Sequence, residues 1–175
     1  MQVEVCVQDF VLESSQPDAK LIGDTHIQIS VETWEKWFNC WLEILQPYLP
    51  PATNYELGLR LTNDAEIQVL NAQYRLQNKP TDVLSFAALE VECPQPAEML
   101  ASLPLYLGDI VISIDTAQIQ AQQQEHSLQT QLAWLAAHGL LHLLGWDHPD
   151  QESLEKMLKQ QVILLESVSI AIDIE

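Results

Sequence analysis

The stretch that decides the fold is His138-Gly139-Leu140-Leu141-His142-Leu143-Leu144-Gly145-Trp146-Asp147-His148. Its first two histidines are four residues apart, so on a helix they lie on one face, about 40° apart around the axis. The residues before and between them are apolar on every side, which predicts a buried helix. Gly145 can end that helix, because glycine adopts the left-handed conformation of a C-terminal cap. His148 can then return towards the first two histidines.

Three histidines at this spacing indicate a metal site. Buried imidazoles without partners cost about 1–3 kcal/mol each, so those on the helix need a ligand or a hydrogen bond. Three neutral imidazoles that leave a fourth position open are the ligand set of a catalytic zinc. The alternative is a hydrogen-bonded cluster of core histidines. Three of the chain's five histidines within eleven residues favour the metal, whereas His26 and His126 lie apart and are not expected to take part.

The composition is that of one globular domain. The chain has 175 residues, 47% of them hydrophobic, and shows neither a repeat nor a linker, so we expect a single domain over residues 1–175. No apolar run approaches the ~20 residues of a membrane span, and no basic start precedes an apolar run, which predicts a cytoplasmic protein. Cys6, Cys40 and Cys93 form no C-x-x-C pair and are expected to be reduced thiols.

The order of helix and strand patterns predicts an α+β fold. Val3, Val5 and Val7 alternate with polar or small residues, as in a half-buried strand. Further strands are expected at residues 56–62, 81–86 and 107–114. Helices are expected at 31–46, capped by Ser30, at 63–76, capped by Thr62, and after Ser127, which caps the helix that carries the histidines. Another helix is expected to start at Asp115 or Thr116. The last is expected at 150–166, with Pro149 in its first turn. Because helices and strands do not alternate strictly, we expect one small mixed sheet of about four strands covered by about five helices, with the metal site at the end of a buried helix.

The net charge of −18 argues against a general nucleic-acid-binding surface. However, three of the seven cationic residues, Arg60, Arg75 and Lys79, lie within twenty residues of one another. An RNA substrate would therefore have to meet a local basic cleft on an acidic body. Arg75 and Lys79 suit phosphate contacts, and a solvated surface is the alternative for both.

The histidine spacing is shared with metzincin proteases, which carry glutamate as the general base directly after the first histidine. Here that position is Gly139, which cannot move a proton, so proteolysis is disfavoured. A metal hydrolase of another substrate stays open. So does a structural zinc in a binding module without catalysis, although structural sites usually have four protein ligands, often cysteines, and no cysteine lies near the triad.

The same stretch resembles the signature of the YbeY endoribonucleases, which mature ribosomal RNA in bacteria and organelles. Three further segments resemble other motifs of that family in the same order: Leu-Asn-Ala-Gln-Tyr-Arg at 70–75, Lys-Pro-Thr-Asp-Val-Leu-Ser-Phe at 79–86 and Leu-Gly-Asp-Ile at 107–110. The resemblance is nearly continuous from Glu56 to Met157. The chain departs from the usual pattern at Ala87 (usually proline), Trp146 (usually tyrosine), and Gln160 and Gln161, where an acid usually stands.

The resemblance implies a single-strand-specific, metal-dependent endoribonuclease that processes the 3′ end of small-subunit ribosomal RNA and serves ribosome maturation and quality control. It implies one Zn²⁺, or another divalent metal, held by His138, His142 and His148. It also implies a catalytic arginine at Arg60. The expected partners are ribosomal RNA and the ribosome or its proteins, and neither DNA nor a membrane. His138 can add proton relay to its ligand role.

Four other polar positions have two interpretations each. Arg60 shares one side of its strand with Gly58 and could stabilise transition-state charge, or it could form a structural salt bridge. Asp82 and Asp109 are polar in apolar strands, which suits either a cleft or backbone hydrogen bonding. Asp147 could orient a histidine or cap the helix end.

Overall fold

The computed structural model describes residues 2–9, 29–88 and 104–172. Within these ranges the chain forms four strands and five α-helices: β1 (Gln2–Asp9), α1 (Val31–Ile44), β2 (Asn54–Thr62), α2 (Asp64–Arg75), β3 (Val83–Ala87), β4 (Leu105–Ser113), α3 (Ile114–Gln123), α4 (Leu128–Leu143) and α5 (Gln151–Ser167). A short 3-10 helix, Gln46–Tyr48, follows α1. The expected α+β fold is confirmed. Over the described ranges, no helix has both the length and the apolar character needed to cross a bilayer.

The four strands form one mixed sheet in the order β1-β2-β4-β3. The first three strands are parallel and β3 is antiparallel to β4. Strand alternation directs Leu57, Leu59 and Leu61 to one side of the sheet, the core face, where all three are buried. Gly58 and Arg60 point to the other side, the far face.

Helices α1, α4 and α5 pack on the core face and supply most of the hydrophobic core. Trp34, Phe38 and Trp41 of α1 are fully buried, and burial of each such large side chain contributes about 1.5–3 kcal/mol. The indole nitrogen of Trp41 donates to the carbonyl of Leu164 at 2.8 Å, which ties α1 to α5. Helix α4, which carries His138 and His142, belongs to the same hydrophobic core.

Gly139 lets α4 approach the sheet closely. A Cβ atom at this position would lie 2.7 Å from the Ile110 side chain and 3.2 Å from Ser85 Oγ. The Ser85 hydroxyl donates to the Gly139 carbonyl at 2.9 Å. Glycine at this place is thus required by helix–sheet packing, in the position where a metzincin carries its glutamate.

Two predicted helix caps and one predicted helix start are wrong, and two caps are confirmed. Helix α2 is capped by Asn63, whose Oδ1 accepts from Glu66 N at 2.9 Å, while Thr62 is the buried last residue of β2. Helix α3 is capped by Ser113 because β4 runs directly into it. Asp150 caps α5, so Pro149 lies before the helix. The serines predicted to cap α1 and α4, at 30 and 127, do so.

Candidate metal centre and neighbouring cavity

The structure brings His138, His142 and His148 together. The first two lie on α4, and Gly145, with φ of +92°, turns the chain back so that His148 meets them. One ligand atom from each residue lies within 4.8 Å of the others. The three rings border a cavity of about 660 Å³ between β3 and the turn after α4. The sequence prediction that the triad converges at the end of a buried helix is confirmed.

The geometry fits a zinc-type ion. Tetrahedral bonds of about 2.0–2.1 Å place two ligand nitrogens about 3.3–3.4 Å apart. His138 Nε2 and His142 Nε2 are 3.0 Å apart, so a small shift of either ring admits a metal between them. Three imidazoles supply three ligands, and the cavity leaves room for a fourth from solvent or substrate.

Gln161 of α5 fixes which nitrogen of His138 faces the site. The side chain of Gln161 is fully buried, and its Nε2 donates to the carbonyl of Trp134 at 3.3 Å. Its Oε1 therefore lies towards His138 Nδ1, at 3.0 Å, and accepts a hydrogen bond from that nitrogen. His138 consequently carries its hydrogen on Nδ1 and presents the lone pair of Nε2 to the other two histidines.

The two helical histidines are neutral near pH 7. Burial lowers the pKa of His138, against the hydrogen bond to Gln161 and the charge of Asp82, which both raise it. Burial lowers the pKa of His142 to about 4, and the neighbouring imidazoles of His138 and His148 act in the same direction. Neutral imidazoles keep the lone pairs that a metal requires.

Three charged residues line the wall of this cavity. Asp82 accepts from its neighbour Val83 N at 2.7 Å and from Gln120 Nε2 at 3.1 Å. The predicted hydrogen bond to backbone is therefore present, and the residue also borders the cavity. Asp147 accepts from His148 N at 2.8 Å, which stabilises the turn that carries the third histidine. Arg75 is the last residue of α2, and its Nη2 donates to the carbonyl of Ser85 in β3 at 2.7 Å.

Arg60 lies on the far face, whereas α4 and its histidines lie on the core face. Its Nη2 donates to Glu66 Oε2 at 2.9 Å, its Nε bonds the other oxygen of the same carboxylate, and its Nη1 donates to Gln8 Oε1 at 2.9 Å. The structure therefore shows an ion pair at Arg60 and does not bring its guanidinium to the triad. Glu66 was missed from the sequence, although its place in the first turn of α2 after the strand is a usable signal.

A second cavity, of about 980 Å³, occupies the far face beside Arg60. The space over Gly58 is filled by Asp109, whose Oδ1 would lie 2.1 Å from a Cβ atom at Gly58. The room that Gly58 leaves on its side of β2 is therefore taken by the Asp109 carboxylate. Asp109 accepts a hydrogen bond from the Tyr106 hydroxyl, and desolvation, with this bond, raises the pKa of Tyr106. Asp109 therefore lines this cavity.

The remaining candidates lie away from the triad. Lys79 is exposed, and its backbone carbonyl accepts from Asn71 Nδ2 at 2.9 Å. His126 is hydrogen-bonded to Gln131. His26 and Cys93 lie outside the described residues.

Comparison with known proteins agrees with these observations. The family model described as Endoribonuclease YbeY matches residues 21–169. The curated protein named Endoribonuclease YbeY from Trichormus variabilis is 67% identical over 174 residues, which cover 99% of this chain and 98% of that protein. The protein of the same name from a Nostoc species is 65% identical, covering 99% and 94%. The solution structure of TM1509 from Thermotoga maritima shares the fold, with a TM-score of 0.51 and 21% identity over 95% of this chain and 91% of that one. The chain belongs to the YbeY family of metal-dependent endoribonucleases.

Proposed function

We propose that this endoribonuclease cuts single-stranded RNA at the cavity bordered by His138, His142 and His148. The observation that carries the proposal is the convergence of three imidazoles, within 4.8 Å of one another, beside a cavity open to a chain-like substrate. The proposed substrate is ribosomal RNA near the 3′ end of the small-subunit molecule, in ribosome maturation and quality control. The proposed partners are the ribosome or its proteins, in the cytoplasm.

The proposed reaction is displacement at phosphorus, in which negative charge grows on the non-bridging oxygens and on the leaving oxygen. A divalent metal, zinc or another, would neutralise that charge and lower the pKa of a bound water to ~7. The three histidines would hold it, with His138 oriented by Gln161. We keep His138 and Arg60 as the proposed catalytic residues: His138 as a ligand that can also relay a proton, and Arg60 as a guanidinium that contacts the same RNA strand from the far face.

The shape of the site supports a single-stranded substrate. A phosphodiester must reach histidines that lie between β3 and the turn after α4, and two of them are partly buried. An unpaired strand can bend its backbone into such a cavity, whereas a duplex holds both backbones on a stiff A-form helix. The charge of −18 further implies that RNA is bound by a few local contacts, so its affinity should be modest and only weakly dependent on salt.

The packing of α4 against the sheet argues against a protease. The position that holds the metzincin glutamate is Gly139, and a Cβ atom there would lie 2.7 Å from Ile110. A longer side chain at this position would push α4 off the sheet. The chain therefore offers no place for that general base on α4.

The test is to incubate the purified protein with labelled single-stranded RNA, duplex RNA and casein, with and without a chelator. We expect cleavage of the single strand only, loss of cleavage with the chelator, and loss in His142→Ala. His126→Ala is the matched control, because His126 lies outside the triad and should cut as the wild type does. Casein digestion with intact RNA would overturn the proposal, and equal cutting of duplex would overturn the strand preference.

A further inference from the structure

The far-face cavity carries aromatic rings at the surface. Tyr74 is 53% exposed and Tyr106 is 43% exposed, and both line this cavity together with Phe86. The rings of Tyr74 and Phe86 are in contact, with centroids 5.2 Å apart. Exposed rings in a concave site are the usual platforms on which unpaired nucleobases stack.

A β-bulge places Tyr106 and Asp109 on the same face. Glu56 of β2 pairs with Tyr106, but the next residue, Leu57, pairs with Gly108, so β4 has one extra residue at Leu107. Without the bulge, residues three apart on a strand would point to opposite faces. Bulges commonly re-aim side chains next to functional sites. Here the bulge aims a phenol ring and a carboxylate into one cavity.

The carboxylates of the cavity suit a nucleobase better than a phosphate. Glu4, Glu56 and Asp109 line it, while the positive charge of Arg60 is already paired with Glu66. Carboxylates repel phosphate but accept hydrogen bonds from the N–H groups of bases, as in the recognition of the cytosine amine. A base with an amino group or a ring N–H donor on its exposed edge is therefore the ligand of matching chemistry.

Arg75 joins this cavity to the metal centre. It lines the triad cavity, its Nη2 donates to the carbonyl of Ser85 at 2.7 Å, and its guanidinium lies 5.4 Å from the centre of the Phe86 ring. Phe86 lines both cavities. An RNA strand that crosses the edge of β3 at this point can place one phosphate on Arg75 while its neighbouring base enters the far-face cavity.

We propose that the far-face cavity binds a nucleobase adjacent to the cleaved bond, stacked on Tyr106 or Tyr74 and hydrogen-bonded to Asp109. The inference rests on the proposed function, because it names a subsite for the same RNA. It assigns a preference for guanine, adenine or cytosine over uracil next to the cut. An exocyclic amino group offers two N–H donors to a carboxylate, whereas the single N3–H of uracil lies between two carbonyl oxygens that a carboxylate repels.

The test measures binding of short single-stranded RNAs by fluorescence anisotropy. The RNAs carry 2′-O-methyl groups, which block attack by the 2′-hydroxyl, and differ only in one base. Gel electrophoresis after each measurement checks that attack by water has not cut them. We expect Tyr106→Ala and Tyr74→Ala each to weaken binding by about tenfold, the size typical of one lost base stack. Tyr106→Phe should retain affinity because it keeps the ring. Asp109→Asn should reduce the discrimination against uracil, because an amide donates as well as accepts.

Ile163→Ala is the matched control, since Ile163 is an exposed apolar residue of α5 and lines neither cavity. Thermal melting of every variant distinguishes loss of RNA binding from loss of folding. Tyr106→Phe is the second variant at this position, because it removes only the hydroxyl and keeps the ring. Folded tyrosine variants that bind RNA as the wild type does would overturn this subsite while leaving the proposed function intact. Failure of the wild type to cut any RNA would instead overturn the proposed function.

Discussion

Gln161 Oε1 lies 3.0 Å from His138 Nδ1, and the two residues come from the neighbouring helices α5 and α4. The amide cannot rotate freely, because its nitrogen donates to the Trp134 carbonyl. An amide at this place holds the imidazole without adding a charge to a fully buried position. The neutral amide of Gln161 therefore bears directly on the orientation of His138 at the metal site.

We predict that Gln161→Leu weakens metal binding by about 10–100-fold, the cost of losing a partner that orients a ligand. Folding should also weaken by about 1–3 kcal/mol, because His138 Nδ1–H is left buried without an acceptor. Gln160→Leu is the matched control on the neighbouring position. Competition with a chromophoric zinc chelator measures the affinity, and equal affinities in both variants would contradict the positioning role.

The triad predicts metal-dependent stability. A ligand that binds only the folded state stabilises it by about 2.7 kcal/mol at a concentration one hundred times its Kd. We therefore expect zinc to raise the melting temperature of the wild type and to leave that of His142→Ala unchanged. Elemental analysis of both proteins as purified provides the second measurement. The same metal content in wild type and variant would show that His142 is not a ligand.

Substitutions at Gly58 and Asp109 should have non-additive effects on the free energy of unfolding. A Cβ atom at position 58 would lie 2.1 Å from Asp109 Oδ1, so Gly58→Ala must displace the carboxylate and its bond to Tyr106. We expect a loss of about 1–3 kcal/mol, the usual cost of overpacking. In Asp109→Ala the obstacle is gone, so adding Gly58→Ala to that background should cost much less. Additive losses in the double-mutant cycle, measured by chemical denaturation, would contradict this contact.

Local patterns were sufficient to predict the sheet, its helices and the triad. Alternating leucines identified the core face of β2, and the apolar helix with two histidines identified α4 as buried. These features depend on residues close in sequence, where period and spacing determine geometry. The caps of α2 and α3 were misplaced by one to three residues because the strands continue directly into these helices.

The partners of site residues could not be predicted in the same way. Gln161 reaches His138 across 23 positions, and Gln8 reaches Arg60 across 52. Such contacts depend on how helices and strands pack against one another, and the periodicity of the sequence does not determine that packing. The bulge at Leu107 is similar: nothing in the alternation of β4 alone shows that Tyr106 and Asp109 share a face.

The Arg60–Glu66 pair should make the free energy of unfolding decrease at acid pH. The hydrogen bond from Arg60 lowers the pKa of Glu66 from its usual 4.5 in the folded state. The folded carboxylate therefore holds its charge to lower pH than the unfolded one. Its stabilising contribution is complete above pH 4.5 and is lost as the pH falls through the folded pKa. For a partly exposed pair we expect about 1 kcal/mol or less.

Glu66→Gln measures this contribution. The variant should be slightly less stable than the wild type at pH 7, and the difference should shrink steadily below pH 4.5. Glu152→Gln is the matched control, since Glu152 pairs with Lys156 on the exposed surface of α5 and its loss should change little. A difference between wild type and Glu66→Gln that is constant from pH 7 to pH 3 would contradict the pairing.

The last prediction tests whether Arg60, which lies on the far face, acts in catalysis or only in the structure. If its guanidinium stabilises charge that appears only in the transition state, Arg60→Ala should lower single-turnover RNA cleavage by a factor of ~10²–10³ with little change in RNA affinity. Arg60→Lys should stay poor, because lysine loses the planar fork that engages two oxygens. Glu66→Gln is the control: it breaks the same ion pair but keeps the guanidinium, so it should still cut RNA. Unchanged cleavage in Arg60→Ala, together with a lower melting temperature, would make Arg60 a structural residue of the far face. Equal losses of affinity and cleavage would make it a uniform RNA contact, with catalysis left to the histidine cluster.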